Sequence, residues 1–232
     1  MSLQLRLAVL WTPPPLQRQE LDRVARVTTA ALDALLEEHA PLSLDRVRQG
    51  DTPQSGTLAQ RRAAVGQAHS RRVAALVQAL GPEQAVESGR AALFAVGRQL
   101  GQEVRSRLAV GSSAADLLRA ARVLYRVLGI AFTVRWQDGR PAFLCVHRCA
   151  LAAHYAAVTC AVLSATDEGV VQGLNPDVGM RFQECMAAGA ERCLARLEFG
   201  VAGGFPIARR PFEDARNLAH GVTSPTLTEG DR

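Results

Sequence analysis

Five cysteines, Cys145, Cys149, Cys160, Cys185 and Cys193, fall within 49 residues, and the 144 residues before them hold none. The odd count, with no signal-peptide pattern over Met1 to Trp11, argues against a disulfide framework. Clustered thiols in a reducing compartment point instead to core packing, a metal or a reactive thiol. A nucleophilic thiol needs a base beside it. Cys149, with His147 two residues before it at an expected helix start, fits that need, because helix N–H groups favour the thiolate. Asp167 and Glu168 add carboxylates that could orient a base or bind a substrate amine; the plain alternative for both is a solvated helix end. The candidate catalytic residues are therefore Cys149, His147 and Asp167.

The same thiols suit Zn²⁺, which binds thiolate at about 2.3 Å. A turn centred on Gly189 sets Cys185 opposite Cys193, with β-carbons about 5 Å apart. A turn on Gly189-Ala190 instead opposes Arg181 to Glu198 and puts the two thiols on different faces. A turn on Ala188-Gly189 opposes Arg181 to Arg196, an unfavourable pairing. Cys149 and Cys160 nearly share a face if they lie on one continuous helix, with His154 about 140° from Cys149 on it. The candidate metal ligands are Cys149, Cys160, Cys185 and Cys193, with zinc the ion they would hold. The chain has no CxxC pair and no HExxH motif, and core packing is the bland reading of each thiol. GxGxxG after a strand, GxxxxGK[ST] and GxSxG are absent too, which removes support for dinucleotide, P-loop and serine-hydrolase chemistry.

The elements that must position these residues follow from period and punctuation. Leu21, Val24, Leu32, Leu35 and Leu36 predict a helix over about 16–39 after Pro13-Pro14-Pro15. Arg48 to Gly56 reads as a loop, and a second helix runs from Thr57 to Leu80. Gly81-Pro82 separates it from a third, to about Leu108. Gly89, Gly97 and Gly101 lie close to one face of that third helix and predict close helix packing. Ser113 with Asp116 caps a fourth helix, closed by Gly129. Asp138-Gly139 predicts a hairpin in which Phe132, Val134 and Trp136 share a face with Pro141, Phe143 and Cys145. A helix is expected from Cys149 or Ala150 to Leu163, a further turn or short helix over 166–173, and a second hairpin over 178–186 and 191–199. The fold class is α+β: an N-terminal helical part followed by two β-hairpins flanking a helix. The expected division is 1–56, an N-terminal segment and helix; 57–199, the main domain; and 200–232, a loosely ordered tail.

Formal net charge is +5, and all the basic charge is Arg. The arginines are spread along the chain and aromatic residues make up only 5%, so nucleic acid is an unfavoured partner. No apolar run is long enough for a membrane span. A cytoplasmic protein with a small-molecule ligand is expected, and a homo-oligomer is compatible with the sequence.

The segment containing Asp167-Glu168, Gly173-Leu174-Asn175-Pro176, Arg181-Phe182, Cys185, Gly189 and Cys193 resembles the end of the L-2-amino-thiazoline-4-carboxylic acid hydrolase-like family. The resemblance covers Cys145 to Phe199, about a quarter of the chain. It implies a small-molecule hydrolase that opens a cyclic amidine ring. Ser164 stands where the pattern has Cys, and Cys185 where Thr is common. The spacing Cys185-x-x-x-Gly189-x-x-x-Cys193 is also similar to the end of the 4-vinyl-reductase sensory domain. That resemblance implies a non-catalytic ligand- or zinc-binding module. Phe182 stands where its Glu is expected, so a zinc site of that kind would need Cys149 or Cys160.

Overall fold

Seven α-helices and four strands build the fold among the described residues. A computed structural model of the protein describes residues 2–51, 55–137 and 140–200. The helices are α1 (Leu3–Leu10), α2 (Pro14–His39), α3 (Pro41–Gln49), α4 (Leu58–Leu80), α5 (Pro82–Leu108), α6 (Ala114–Leu128) and α7 (Ala157–Leu174). The strands are β1 (Ile130–Gln137), β2 (Arg140–Cys149), β3 (Val178–Glu184) and β4 (Cys193–Phe199). The α+β class holds. Residues 201–232 of the expected 200–232 tail, and the Asp138-Gly139 turn, lie outside the described residues.

Local chemistry explains the helix ends. Thr57 and Gln60 form a reciprocal capping box at the start of α4, satisfying N–H groups that a helix start leaves open. Gly81, at φ +78°, reverses the chain between α4 and α5, and Pro82 opens α5 where its missing N–H costs nothing. The Ser113 side chain accepts from the Asp116 N–H at the start of α6, as its spacing predicts. The helix expected to follow Pro13-Pro14-Pro15 instead begins within them, with Pro14 and Pro15 in the first turn of α2.

The glycine stripe on α5 is a packing surface. A methyl at Gly97 would strike the Thr166 carbonyl, and one at Gly101 would strike the Val170 carbonyl. From the opposite side, Gly169 and Gly173 of α7 approach the Phe94 and Arg98 carbonyls in the same way. The two backbones therefore touch, and α7 is held to α5 along its length.

The strands join in one antiparallel sheet of order β1-β2-β4-β3, so the two hairpins are a continuous layer. Leu144 and Val146 of β2, Cys193, Ala195 and Leu197 of β4, and Met180 and Phe182 of β3 pack in one core with Val171 and Leu174 of α7. A second core unites α2, α3, α4, α5 and α7 through Leu32, Leu36, Leu44, Val73, Leu93 and Val162. The N-terminal helices thus share their interior with α7.

Three expectations about this region need correction. In the first hairpin the predicted register holds only at Gln137↔Arg140 and Trp136↔Pro141, beside the turn. Register shifts between Arg135 and Trp136 and between Ala131 and Phe132 place Phe132 opposite Val146 and Cys145 opposite Thr133. Cys145 is buried, but not on the face that carries Phe132 and Val134. In the second hairpin Arg181 pairs with Arg196, the register judged unfavourable, and Glu198 bonds Arg196 at 3.0 Å to relieve it. Cys185 leaves the ladder to open a short 3₁₀ turn over Met186–Ala188, so it does not face Cys193 as a strand pair. Finally, Cys149 ends β2 and does not begin a helix; α7 starts only at Ala157 and continues unbroken to Leu174. Apart from Asp167, Glu168 and Gln172 its residues are mostly small or apolar on all sides, so no stripe marks its period.

Candidate functional site

α7 carries Cys160 and Asp167 two turns apart, on the side that meets the sheet and α6. Cys185, displaced by the break in β3, approaches Cys160 to 2.7 Å between sulfurs. Cys193, at the start of β4, accepts the Met186 N–H at 3.3 Å. All five cysteines are unbridged. Contacts among Cys160, Cys185 and Cys193 divide their proton affinities. Hydrogen bonds from Cys160 and Cys193, then the Ala187 and Ala188 N–H groups, hold the Cys185 thiol down to about 3. Cys160 is pushed up as the donor to Cys185 and Cys193. Cys193 is lowered by Cys160 but raised more by Cys185 and burial together. Of the three thiols, Cys185 is the one that its neighbours make more acidic, and Cys160 and Cys193 are the ones made less so.

Cys149 lies half-buried at the end of β2. Burial pushes its thiol up, against the Leu151 and Ala152 N–H groups that pull it down. Those donors belong to the turn after the strand and supply in part what a helix start was expected to supply. Asp167 and Cys193 also act on Cys149 through space. His147 is exposed on β2 at the bulge opposite Ala131 and Phe132. The structure therefore gathers Cys149, Asp167, Cys160, Cys185 and Cys193, and leaves His147 at the surface.

Asp167 occupies the floor of a cavity of about 260 Å³ between α1, α2, α5, α6 and α7. It is part-buried and lines that cavity. Burial, then the charges of Glu168 and Cys193, raise it to about 7, while a hydrogen bond with the Tyr125 hydroxyl pulls the other way. Tyr125 is itself buried and packed edge-on against Phe132 at 5.2 Å. Beside Asp167, Thr166 Oγ1 is buried with no partner among the described residues.

Glu168 faces the other way. Arg90, fully buried on α5, donates to Glu168 at 2.7 Å, to the Ala161 carbonyl at 2.7 Å and to Ser164 Oγ at 3.0 Å. The Phe182 N–H donates to the second Glu168 oxygen at 3.3 Å. Burial raises Glu168 and lowers Arg90 despite their pairing, because taking both charges out of water costs more than their attraction returns. This pair ties α5, α7 and β3 together behind the site.

A second buried chain ties α2 and α4 to the turn before α7. The Thr28 hydroxyl donates to the Val24 carbonyl at 2.8 Å, so it accepts from His69 Nε2, also at 2.8 Å. His69 Nδ1 then accepts from the Tyr155 hydroxyl at 2.8 Å. Burial, then Arg72, holds His69 down to about 3, a neutral ring at any ordinary pH. Sequence spacing did not mark Arg90, His69, Tyr125 or Tyr155. An Arg on the glycine-lined face of α5 was the one local signal for the first of them.

Three thiols in contact invite a metal reading, yet among the described residues no group of three or more His, Cys, Asp or Glu is arranged to hold an ion. Zinc at about 2.3 Å from each sulfur would hold neighbouring sulfurs about 3.8 Å apart at the tetrahedral angle, wider than the Cys160–Cys185 spacing. The family model for L-2-amino-thiazoline-4-carboxylic acid hydrolase matches residues 61–197. The chain belongs to this hydrolase family. The match starts in α4 and ends in β4, so it includes every residue of the thiol cluster, Asp167, and the Arg90–Glu168 pair. It reaches well upstream of the segment in which the resemblance is legible by eye. No curated protein and no solved structure matches the chain. Among the described residues, no helix of this family member is long and apolar enough to cross a membrane.

Proposed function

We propose that the protein is a small-molecule hydrolase that opens a cyclic amidine ring at the Asp167 site. The observation that carries this reading is a carboxyl lining an apolar cavity, hydrogen-bonded to Tyr125 and poised near neutrality. A group with that affinity both takes and gives a proton near pH 7. Water adds to the amidine carbon and passes a proton to the Asp167 carboxylate. The ring C–N bond then breaks, and Asp167 returns the proton to the departing nitrogen. One water is consumed and the carboxylate is regenerated. Cys149 feels the Asp167 charge through space but does not line the cavity; it is the alternative nucleophile of this reading, attacking the same carbon before water does. His147, exposed on its strand, is left outside this proton path.

Turnover of cyclic amidines and thiolactams by the parent, Asp167→Asn and Cys149→Ala tests the scheme. Asp167→Asn is expected to lose about 100-fold or more. Equal rates in parent and Cys149→Ala would remove Cys149 as nucleophile and leave water. A parent that turns over none of these rings would end the proposal.

The contact of Cys160, Cys185 and Cys193 favours a second reading, a non-catalytic module whose thiols bind a soft metal such as zinc, with Cys149 as a fourth ligand. Spreading the sulfurs by about 1 Å would admit the ion. Metal content of the purified protein, with and without Cys185→Ser and Cys193→Ser, decides it.

A further inference from the structure

The cavity above Asp167 is almost wholly apolar. Val24, Leu100, Val104, Leu124, Val171 and Leu174 are among its walls, and Asp167 is the charged group on its floor. Glu20, Arg23 and Arg107 stand among the lining residues as well, but they are committed to one another. Arg107 donates to Glu20 at 2.8 Å, and Arg23 pairs with both Glu20 and Glu103. A substrate whose ring bears a carboxylate would bring a second negative charge toward Asp167 and bury it against hydrocarbon. Burying an unpaired charge is among the most costly steps available. The family's description names such a carboxylate; this cavity does not suit one.

We infer that the site takes a cyclic amidine whose ring carries a bulky apolar substituent, with the amidine against the Asp167 carboxylate and the substituent in the cavity. The inference rests on the ring-opening reading for the choice of head group, and on the cavity for the rest. An amidinium presents two parallel N–H donors, the arrangement that a carboxylate accepts best. An apolar cavity of about 150 Å³ is enough to hold benzene, so the 260 Å³ here has room for a six-carbon chain or a ring. Removing that chain from water supplies the affinity, and the Asp167 carboxylate orients the head. Access lies beside α1: Ala8, Trp11 and Thr12 border the cavity, and Arg126 holds the end of α1 by donating to the Val9 carbonyl at 2.8 Å.

Calorimetric titration of the full chain tests this with three probes: a 4-hexyl-2-amino-thiazoline, 2-amino-thiazoline-4-carboxylate, and a neutral hexyl lactam of similar shape. The hexyl amidine is expected to bind at least tenfold more tightly than the carboxylate. Asp167→Asn should weaken the hexyl amidine at least tenfold and leave the lactam within about twofold. Ala121→Phe, which fills the cavity from α6, should weaken both hexyl compounds. Should either variant fail to fold, the parent's preference between hexyl amidine and carboxylate decides alone. A carboxylate bound as tightly as the hexyl amidine overturns the inference, as does an Asp167→Asn variant that binds the amidine normally. Binding without ring opening would instead defeat the hydrolase reading and leave this one standing. Turnover of the carboxylate with no binding of the hexyl amidine would do the reverse.

Discussion

Arg90 shows how a single residue escapes sequence reading. Its partner Glu168 is 78 positions away, and no local spacing connects them. Glu168 was therefore read together with Asp167 as a substrate-facing carboxylate, although only Asp167 faces the cavity. Neighbours in sequence on a helix point about 100° apart, so the pair Asp167-Glu168 divides into one chemical and one structural acid. The cysteines divide likewise. Cys145 pairs away from the others, Cys149 waits at a strand end, and three sulfurs meet because β3 breaks at Cys185. Arg90→Ala should destabilise the protein by about 3–5 kcal/mol, because Glu168 is left buried and uncompensated. Arg90→Met with Glu168→Gln removes both charges and keeps an acceptor for the Phe182 N–H. The double variant should recover most of that loss in urea unfolding. A single variant within about 1 kcal/mol of the parent would show that the pair is not buried as described.

Elements with strong period were legible. α2, α4, α5 and α6 fall within two residues of their expected bounds, because each has one apolar face and clear caps. α7 was broken in two because it is apolar all round. The hairpins were found, but their registers were not, since each bulge shifts every following pair and leaves no composition signal. The glycine stripe on α5 was read correctly as a packing face, and the sequence could not say which helix it met. That contact makes an element-scale prediction. In an isolated helix Gly97→Ala gains about 1 kcal/mol. Here the added methyl meets the Thr166 backbone carbonyl, which cannot move without α7. The substitution should instead cost about 3 kcal/mol, and thermal melts of Gly97→Ala and Gly169→Ala should both fall. A stabilised Gly97→Ala would mean that α5 and α7 stand further apart.

On the scale of the whole molecule, the cavity draws on residues from Ala8 to Leu174, a span that no motif covers, so it was invisible in the sequence. It exists because the N-terminal helices close over α7, and its enclosure has a thermodynamic consequence. Asp167 ionises near 7 in the folded chain, against a reference of 3.8. The folded state therefore holds a proton that the unfolded state releases across that window. Its contribution is fully present below about 3.8 and is lost as pH rises through about 7. Glu168, raised as well, acts in the same direction. The full shift corresponds to about 4 kcal/mol, reduced where solvent reaching the cavity screens the charge. Urea unfolding between pH 5 and 8 should therefore show the parent losing stability relative to Asp167→Asn as pH rises. Taking the difference between the two proteins cancels the titration of every group not coupled to Asp167. A difference that stays flat across that window would mean that Asp167 is open to bulk water and ionises as an ordinary carboxylate. The enclosed cavity, and with it the case for proton transfer at this floor, would then fall. A sloping difference that flattens when the hexyl amidine is added would tie the proton and the ligand to the same carboxyl, because a bound cation keeps Asp167 ionised throughout.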